Sequence, residues 1–143
     1  MRKLFIFILI IGNVILSSCY ALRPLDRYQV NYNMPVKNAD YKVLEHYDFP
    51  AFMDSLYVYV VETDDQESEV FDISRMEEGL NQKAVFAMTF FDDSYENKYG
   101  KKYFNNINND DCLSRIYDSS SSDAYITVIY HKPTSRYYVI VHG

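Results

Sequence analysis

The chain has 143 residues with 20 acidic and 14 basic side chains, a formal net charge of −6, and a length that suits one domain with its own core. An acidic balance of this size excludes nucleic acid and anionic lipid headgroups as electrostatic partners, since both are drawn to Lys and Arg. Two cysteines exclude a disulfide framework, and 15 Tyr with 9 Phe and no Trp supply rings that suit a sheet surface or a binding face equally well.

The N-terminus carries the strongest motif. Arg2 and Lys3 precede an apolar run from Leu4 to Leu16, broken only by Gly12 and Asn13, which is the layout of a secretory signal peptide. A spanning helix needs about 20 apolar residues, so the run is too short to cross a bilayer. Directly after it, Leu16-Ser17-Ser18-Cys19 resembles the lipobox of bacterial lipoproteins: an apolar residue, two small residues and a Cys. The resemblance implies that the Cys19 sulfur carries a diacylglyceryl group, that the signal is cut just before it, and that a lipid bilayer is a partner. Each buried methylene contributes about 0.8 kcal/mol, so two or more chains anchor stably where one binds marginally. The residue after Cys19 is Tyr20, not the Asp that in many lipoproteins resembles an inner-membrane retention signal, which favours the outer membrane. Cys19-Tyr20-Ala21 also offers small residues for an ordinary signal-peptidase cut, which would release a secreted or periplasmic protein.

The chain therefore divides into a signal peptide at 1–18, a tether at 19–38 and one domain at 39–143. Loss of Arg2 and Lys3 takes the net charge from −6 to −8. Cys112 is left without an intramolecular partner and reads as a small apolar filler in a short helix. His46, His131 and His142 show no spacing that would make it a nucleophile.

In chain order, Arg23-Pro24, Asn33 and Met34-Pro35 discourage regular structure in the tether, although Tyr28 to Tyr32 could pair as an edge strand. Tyr41, Leu44 and Tyr47 suit a short helix ended by Pro50. Leu56 to Val61 is β-branched, aromatic and apolar on both faces, hence a strand covered on both sides. Ser74 with Glu77 predicts a capped helix to about Lys83, followed by a second central strand over Ala84 to Phe91. Tyr95, Tyr99, Tyr103 and Ile107 recur every four residues and predict a core-facing helix capped by Asp93 and Glu96. A short helix is expected from Asp110 to Tyr117, then strands at Tyr125 to Tyr130 and Tyr137 to His142 joined through Pro133-Thr134-Ser135 as a hairpin. Strands joined through helices predict an α/β (or α+β) sandwich, with a mixed sheet of about four strands, a parallel core and a C-terminal antiparallel hairpin. Val58, Val60, Val85, Ala87, Val128 and Ile140 are the expected core.

The succession Tyr57 to Asp65, the acidic Met76-Glu77-Glu78-Gly79-Leu80, Ala84 to Thr89, a Tyr-rich helix, and the pair Ile126 to Ile129 and Tyr138 to Gly143 resembles the layout of TPM domains. That resemblance covers residues 56–143 and implies an exported α/β domain; some members of the family are described as calcium-binding or as acid phosphatases.

Independently of it, ligands of open parallel sheets bind beyond the carboxyl ends of the strands. Those ends carry Glu62, Asp64 and Asp65 after the first strand, Asp92 and Asp93 after the second, and His131 after the third. Converging carboxylates suit a hard cation, Ca²⁺ or Mg²⁺, which could polarise a phosphoryl oxygen or activate water. The same residues also serve as helix caps, a solvated acidic loop and a strand-end His. Asn106, Asn108 and Asp110 mimic the start of a calcium loop, but Asp111 replaces its Gly and Tyr117 its closing Glu. No Gly-rich phosphate loop, paired Cys ligands, nucleophile elbow or HExxH motif occurs. Two functions are expected: a binding or assembly module at the cell envelope with a protein or glycan partner, or a small cation-dependent, phosphatase-like hydrolase. A flat aromatic patch would favour the first and a polarised acidic pocket the second.

Overall fold

The computed structural model describes residues 23–36, 39–50, 55–65 and 68–143. The signal peptide and Cys19 lie outside the described residues. The fold is a six-stranded sheet in the order β1-β2-β6-β5-β4-β3, with every neighbouring pair antiparallel. The strands are β1 (Lys42–Pro50), β2 (Ser55–Glu62), β3 (Glu77–Glu78), β4 (Cys112–Asp118), β5 (Tyr125–His131) and β6 (Arg136–His142). Among the described residues there are two α-helices, α1 (Gln29–Tyr32) and α2 (Gln82–Tyr99). The architecture is mainly β, which overturns the expected four-stranded α/β sandwich with a parallel core.

Three local causes account for the correction. Asn81 caps α2 by accepting from the Ala84 N–H at 2.9 Å, and Ala84, Ala87, Met88, Phe91 and Tyr95 form its buried stripe. The run Ala84 to Phe91 looked double-sided because Val85 and Phe86 stand on the open face of this helix, 47% and 54% exposed. Val85 is thus a surface residue, and Ala87 is buried on a helix rather than in a strand. The Asp40 to Phe52 segment has a different cause, a β-bulge at Leu44: Val43 pairs with Val61 while Glu45 pairs with Val60. The inserted residue breaks the period of two, so Leu44, Tyr47 and Phe49 fall on one face at a spacing that mimics a helix.

The capping signal at Ser74 also has another outcome. Asp72 accepts from the Ser74 N–H at 2.9 Å and caps only one 3₁₀ turn, Ile73–Arg75, after which Glu77 and Glu78 pair with Ser114 and Leu113. Gly79, at φ 80°, turns the chain against Asn109, whose amide oxygen accepts from the Leu80 N–H at 2.8 Å. The expected helix at Asp110 to Tyr117 is instead a 3₁₀ turn, Asn109–Asp111, leading into β4. The Tyr stripe is split, because α2 stops at Gly100 in the left-handed region, yet Tyr103 still packs 5.4 Å from Tyr95.

Both sheet faces are covered. Val58, Val60, Ile129 and Ile140 face α2, and Val61, Val128, Val139 and Val141 face the N-terminal segment and Phe71. From Arg23 onward, the stretch read as a tether packs on the sheet, with Leu25, Met34 and Val36 fully buried. It enters beside the start of β1, where the Arg23 guanidinium donates to the carbonyls of Val36 and Ala39 at 3.0 and 2.9 Å and pairs with Asp26 at 3.1 Å.

The helix α2 lies along one end of the sheet. Phe49, Leu56, His142, Tyr125 and Asp118 form one cross-strand row in the register. Lys83 contacts Asp118 and Tyr125, Phe86 and Phe90 contact His142, and Tyr99 contacts Phe49. Eighteen helical residues span about 27 Å, enough to cross the roughly 19 Å of five strands.

Candidate functional site

The antiparallel topology separates the acids expected to converge. Glu62 and Asp64 meet Asp40, Tyr41, Lys42 and Thr63 around an open cleft of about 430 Å³ at the sheet end where the N-terminal segment enters. Asp65 is occupied in organising the adjoining turn, accepting from the N–H groups of Asp40 and Ser68 at 3.1 Å each. Asp92 and Asp93 belong to α2 on one face of the sheet. One Asp92 oxygen accepts from the N–H groups of both Tyr103 and Phe104 at 2.7 Å, and Asp93 is exposed. His131 is buried and its Nδ1 lies 2.9 Å from the Thr134 hydroxyl, closing the β5–β6 turn. Among the described residues no three His, Cys, Asp or Glu side chains are grouped so as to hold a metal ion.

What the fold assembles instead is an aromatic ledge. The helical spacing of four places Phe86 and Phe90 side by side, ring centroids 6.2 Å apart and inclined by 25°. Each ring meets His142 edge-on at 5.6 Å. His142 in turn stacks on Tyr125 at 5.1 Å and 11°, with the Lys83 ammonium 5.1 Å from the Tyr125 ring centre. Lys83 and Asp118 form an ion pair at the rim, with side chains 49% and 67% exposed. Tyr125 is buried, Val85 and Phe86 are about half exposed, and Phe90 packs against the core beneath α2. None of these residues was expected to act, because the Phe pair reads as core within an apolar run.

A second constellation fastens the N-terminal segment. The Arg27 guanidinium lies 5.0, 5.6 and 5.9 Å from the ring centres of Tyr28, Tyr57 and Tyr59, and it donates to the Tyr59 hydroxyl. The Tyr28 and Tyr59 hydroxyls are 3.1 Å apart, and His46 stacks on Tyr59 at 4.5 Å. Burial and the hydrogen bond to Tyr59 push the Tyr28 phenol well above its usual range. Burial lowers the His46 pKa against the opposing charge of Asp48, with Arg27 adding to the fall. These groups satisfy one another across the N-terminal segment, β1 and β2, which is the arrangement of a clamp.

The long edge strand β1 is blunted against further pairing. It carries the bulge at Leu44, charges at Lys42, Glu45 and Asp48, and Pro50 at its end. No family model matches the chain, and no curated protein or solved structure matches it either.

Proposed function

We propose that this chain is an exported bacterial lipoprotein, held on the outer membrane through an acylated Cys19, and that its folded domain is a binding module. The observation that carries the reading is Phe86, 54% exposed on the open face of α2 beside Phe90 and His142, at the end of the sheet opposite the point where Arg23 enters. Cys19 stands four residues before Arg23, so the leash between anchor and fold is at most about 14 Å. The ledge row and the entry row are separated by the length of β2, about 20 Å for six residue steps. An anchor at one end and an apolar surface at the other is the layout of a module that reaches away from its own bilayer.

The alternative, a cation-dependent hydrolase, would rest on Asp64, Asp65, Asp92 and Asp93. The hydrogen bonds that Asp65 and Asp92 make to backbone N–H groups already give them a role in holding loops.

Two measurements test the proposal. Intact mass should place the mature N-terminus at Cys19 with its acyl chains, and an unmodified start at Leu22 would remove the anchor. Co-sedimentation of the detergent-solubilised protein with the insoluble envelope fraction should be reduced several-fold in a Phe86→Ser/Phe90→Ser double variant. Equal partition of the two proteins would remove the ledge as the binding surface.

A further inference from the structure

The edge of the sheet that β3 covers is only half closed. Glu77 and Glu78 pair with Ser114 and Leu113, and the Gly79 N–H donates to the Cys112 carbonyl at 2.9 Å, so the backbone groups of Cys112 and Ser114 point towards β3. Residues two apart in a strand aim their N–H and C=O groups to the same side, so those of Ile116 and Asp118 point outward as well. Ser119, in the other phase, donates inward to the Ala124 carbonyl at 2.9 Å. The next rung of the β3–β4 ladder would join Ile116 to Arg75, but the Arg75 N–H is turned into the 3₁₀ turn and donates to the Asp72 carbonyl at 3.1 Å. The outward backbone groups of Ile116 and Asp118 therefore have no hydrogen-bond partner among the described residues. An open cleft of about 260 Å³ lies beside them, lined by Arg75, Glu77, Asn81, Ser114, Arg115 and Ile116. Unlike β1, this edge has no bulge or Pro, and its charged side chains are tied back, Arg115 to Glu69 and Asp118 to Lys83, which leaves the backbone uncovered.

The bare segment is complementary to itself. Paired antiparallel about a two-fold axis, Ile116 of each copy lies opposite Asp118 of the other, and the two Tyr117 residues face one another as the non-hydrogen-bonded pair. Every outward N–H and C=O of the segment then finds a partner. Neighbouring registers fail: Ile116 opposite Ile116 brings Asp118 to Ser114, where Glu77 already stands, and Asp118 opposite Asp118 sets like charges together and leaves Ile116 unpaired. In the register that fits, the incoming β4 ends at Asp118 before it reaches Glu77, because Ser119 folds back into the β4–β5 turn. Charge agrees with this, since each Asp118 is delivered to a cleft in which Arg75 and Arg115 outnumber Glu77. The axis stands perpendicular to the sheet, so both N-terminal segments stay on one face, opposite both α2 helices, and both leashes can reach one bilayer. We propose that β4 pairs with β4 of a second copy of this chain through Ile116 and Asp118, joining the two sheets into one, a contact independent of the Phe86 surface.

The test is sedimentation equilibrium of the mature protein in a density-matched detergent, with micelles in large excess, from about 10 µM to about 1 mM. Wild type should pass from monomer to dimer within this range. Ile116→Pro and Asp118→Pro each remove one outward N–H and leave the β4–β5 ladder whole, so each should weaken dimerisation about tenfold or more. Urea midpoints establish that the variants remain folded, and the exposed Asp118 carries this arm if the half-buried Ile116 does not tolerate the ring. Oxidation reads the register separately. Tyr117→Cys should cross-link between copies, because its two Cα atoms lie about 4.5 Å apart. Arg115→Cys should not, because its two positions are offset by four residues, roughly 13 Å. A monomer at every concentration, dimers unaffected by both substitutions in β4, or cross-linking through Arg115→Cys in place of Tyr117→Cys would overturn the inference.

Discussion

Replacing Asp92 by Ala separates a structural carboxylate from a metal ligand. Asp92 bonds the N–H groups of Tyr103 and Phe104, both at 2.7 Å, just after α2 has ended at Gly100. Those two bonds aim the rings of Tyr103 and Phe104 at Phe91, 5.2 and 5.5 Å away, and at Tyr138, 6.3 and 5.6 Å away. A hydrogen bond to a charged group is worth about 1.5–3 kcal/mol, and Asp92 is only half-buried, so water recovers part of the loss. Asp92→Ala should therefore lower unfolding free energy by about 2–4 kcal/mol, a large share of the 5–15 kcal/mol typical of a domain. Asp92→Asn keeps one acceptor oxygen in place and should cost about 1 kcal/mol. Urea denaturation followed by circular dichroism, once in EDTA and once in millimolar Ca²⁺ or Mg²⁺, reads both effects. The loss should be the same in all three buffers. A Asp92→Ala protein as stable as wild type, or a loss seen only with a cation present, would refute the loop-holding role.

Val85→Asp, on the open face of α2, should change stability by less than about 0.5 kcal/mol, whereas Ala87→Asp buries an unpaired carboxylate and should cost several kcal/mol in the same urea assay. The hydroxyl of Thr127, fully buried in β5, has no hydrogen-bond partner among the described residues, so Thr127→Val should raise stability by about 1 kcal/mol. Burial, with Asp111 adjacent, pushes the Cys112 thiol up to about 11, while the unfolded thiol ionises near 8.5. The proton is held more tightly in the folded state, so this stabilisation is complete below about pH 8 and is lost as pH rises towards 11. Burial likewise holds the Tyr117 and Tyr137 phenols at about 12, which extends the decline to higher pH. Urea midpoints from pH 7 to 11 should fall on the alkaline side, less steeply below pH 10 in Cys112→Ala; a flat profile would contradict the assignment.

The parts of the fold legible in the sequence are those whose pattern is complete within one segment. Val58 and Val60 in β2, and the runs that became β5 and β6, are β-branched and covered on both faces, so a local window suffices to read them. Their partners were not legible, because the β2–β6 ladder joins Leu56 to His142 across most of the domain. Where a residue serves a purpose outside the local pattern, the reading failed. The bulge at Leu44 disguised β1, and Ser114, buried on β4 and donating to the Gly79 carbonyl at 2.7 Å, looked like a polar helix position. The candidate site followed the same rule. Acidic side chains announce themselves by type, and so Glu62, Asp64, Asp65, Asp92 and Asp93 drew attention. Phe86 and Phe90 gave no such signal, because an exposed ring and a buried ring are the same letter.

A helix laid across the end of a sheet must bury one stripe, and Ala84, Ala87, Met88, Phe91 and Tyr95 supply it. Phe86 lies off the stripe, more than half exposed, and its ring contacts are with Phe90 and His142 at the margin of the helix. The clamp at Arg27 secures the N-terminal segment on the other face. The sheet between them, through β2, β6, β5 and β4, is covered on both faces, so α2 and the N-terminal segment stand on opposite faces of one antiparallel sheet.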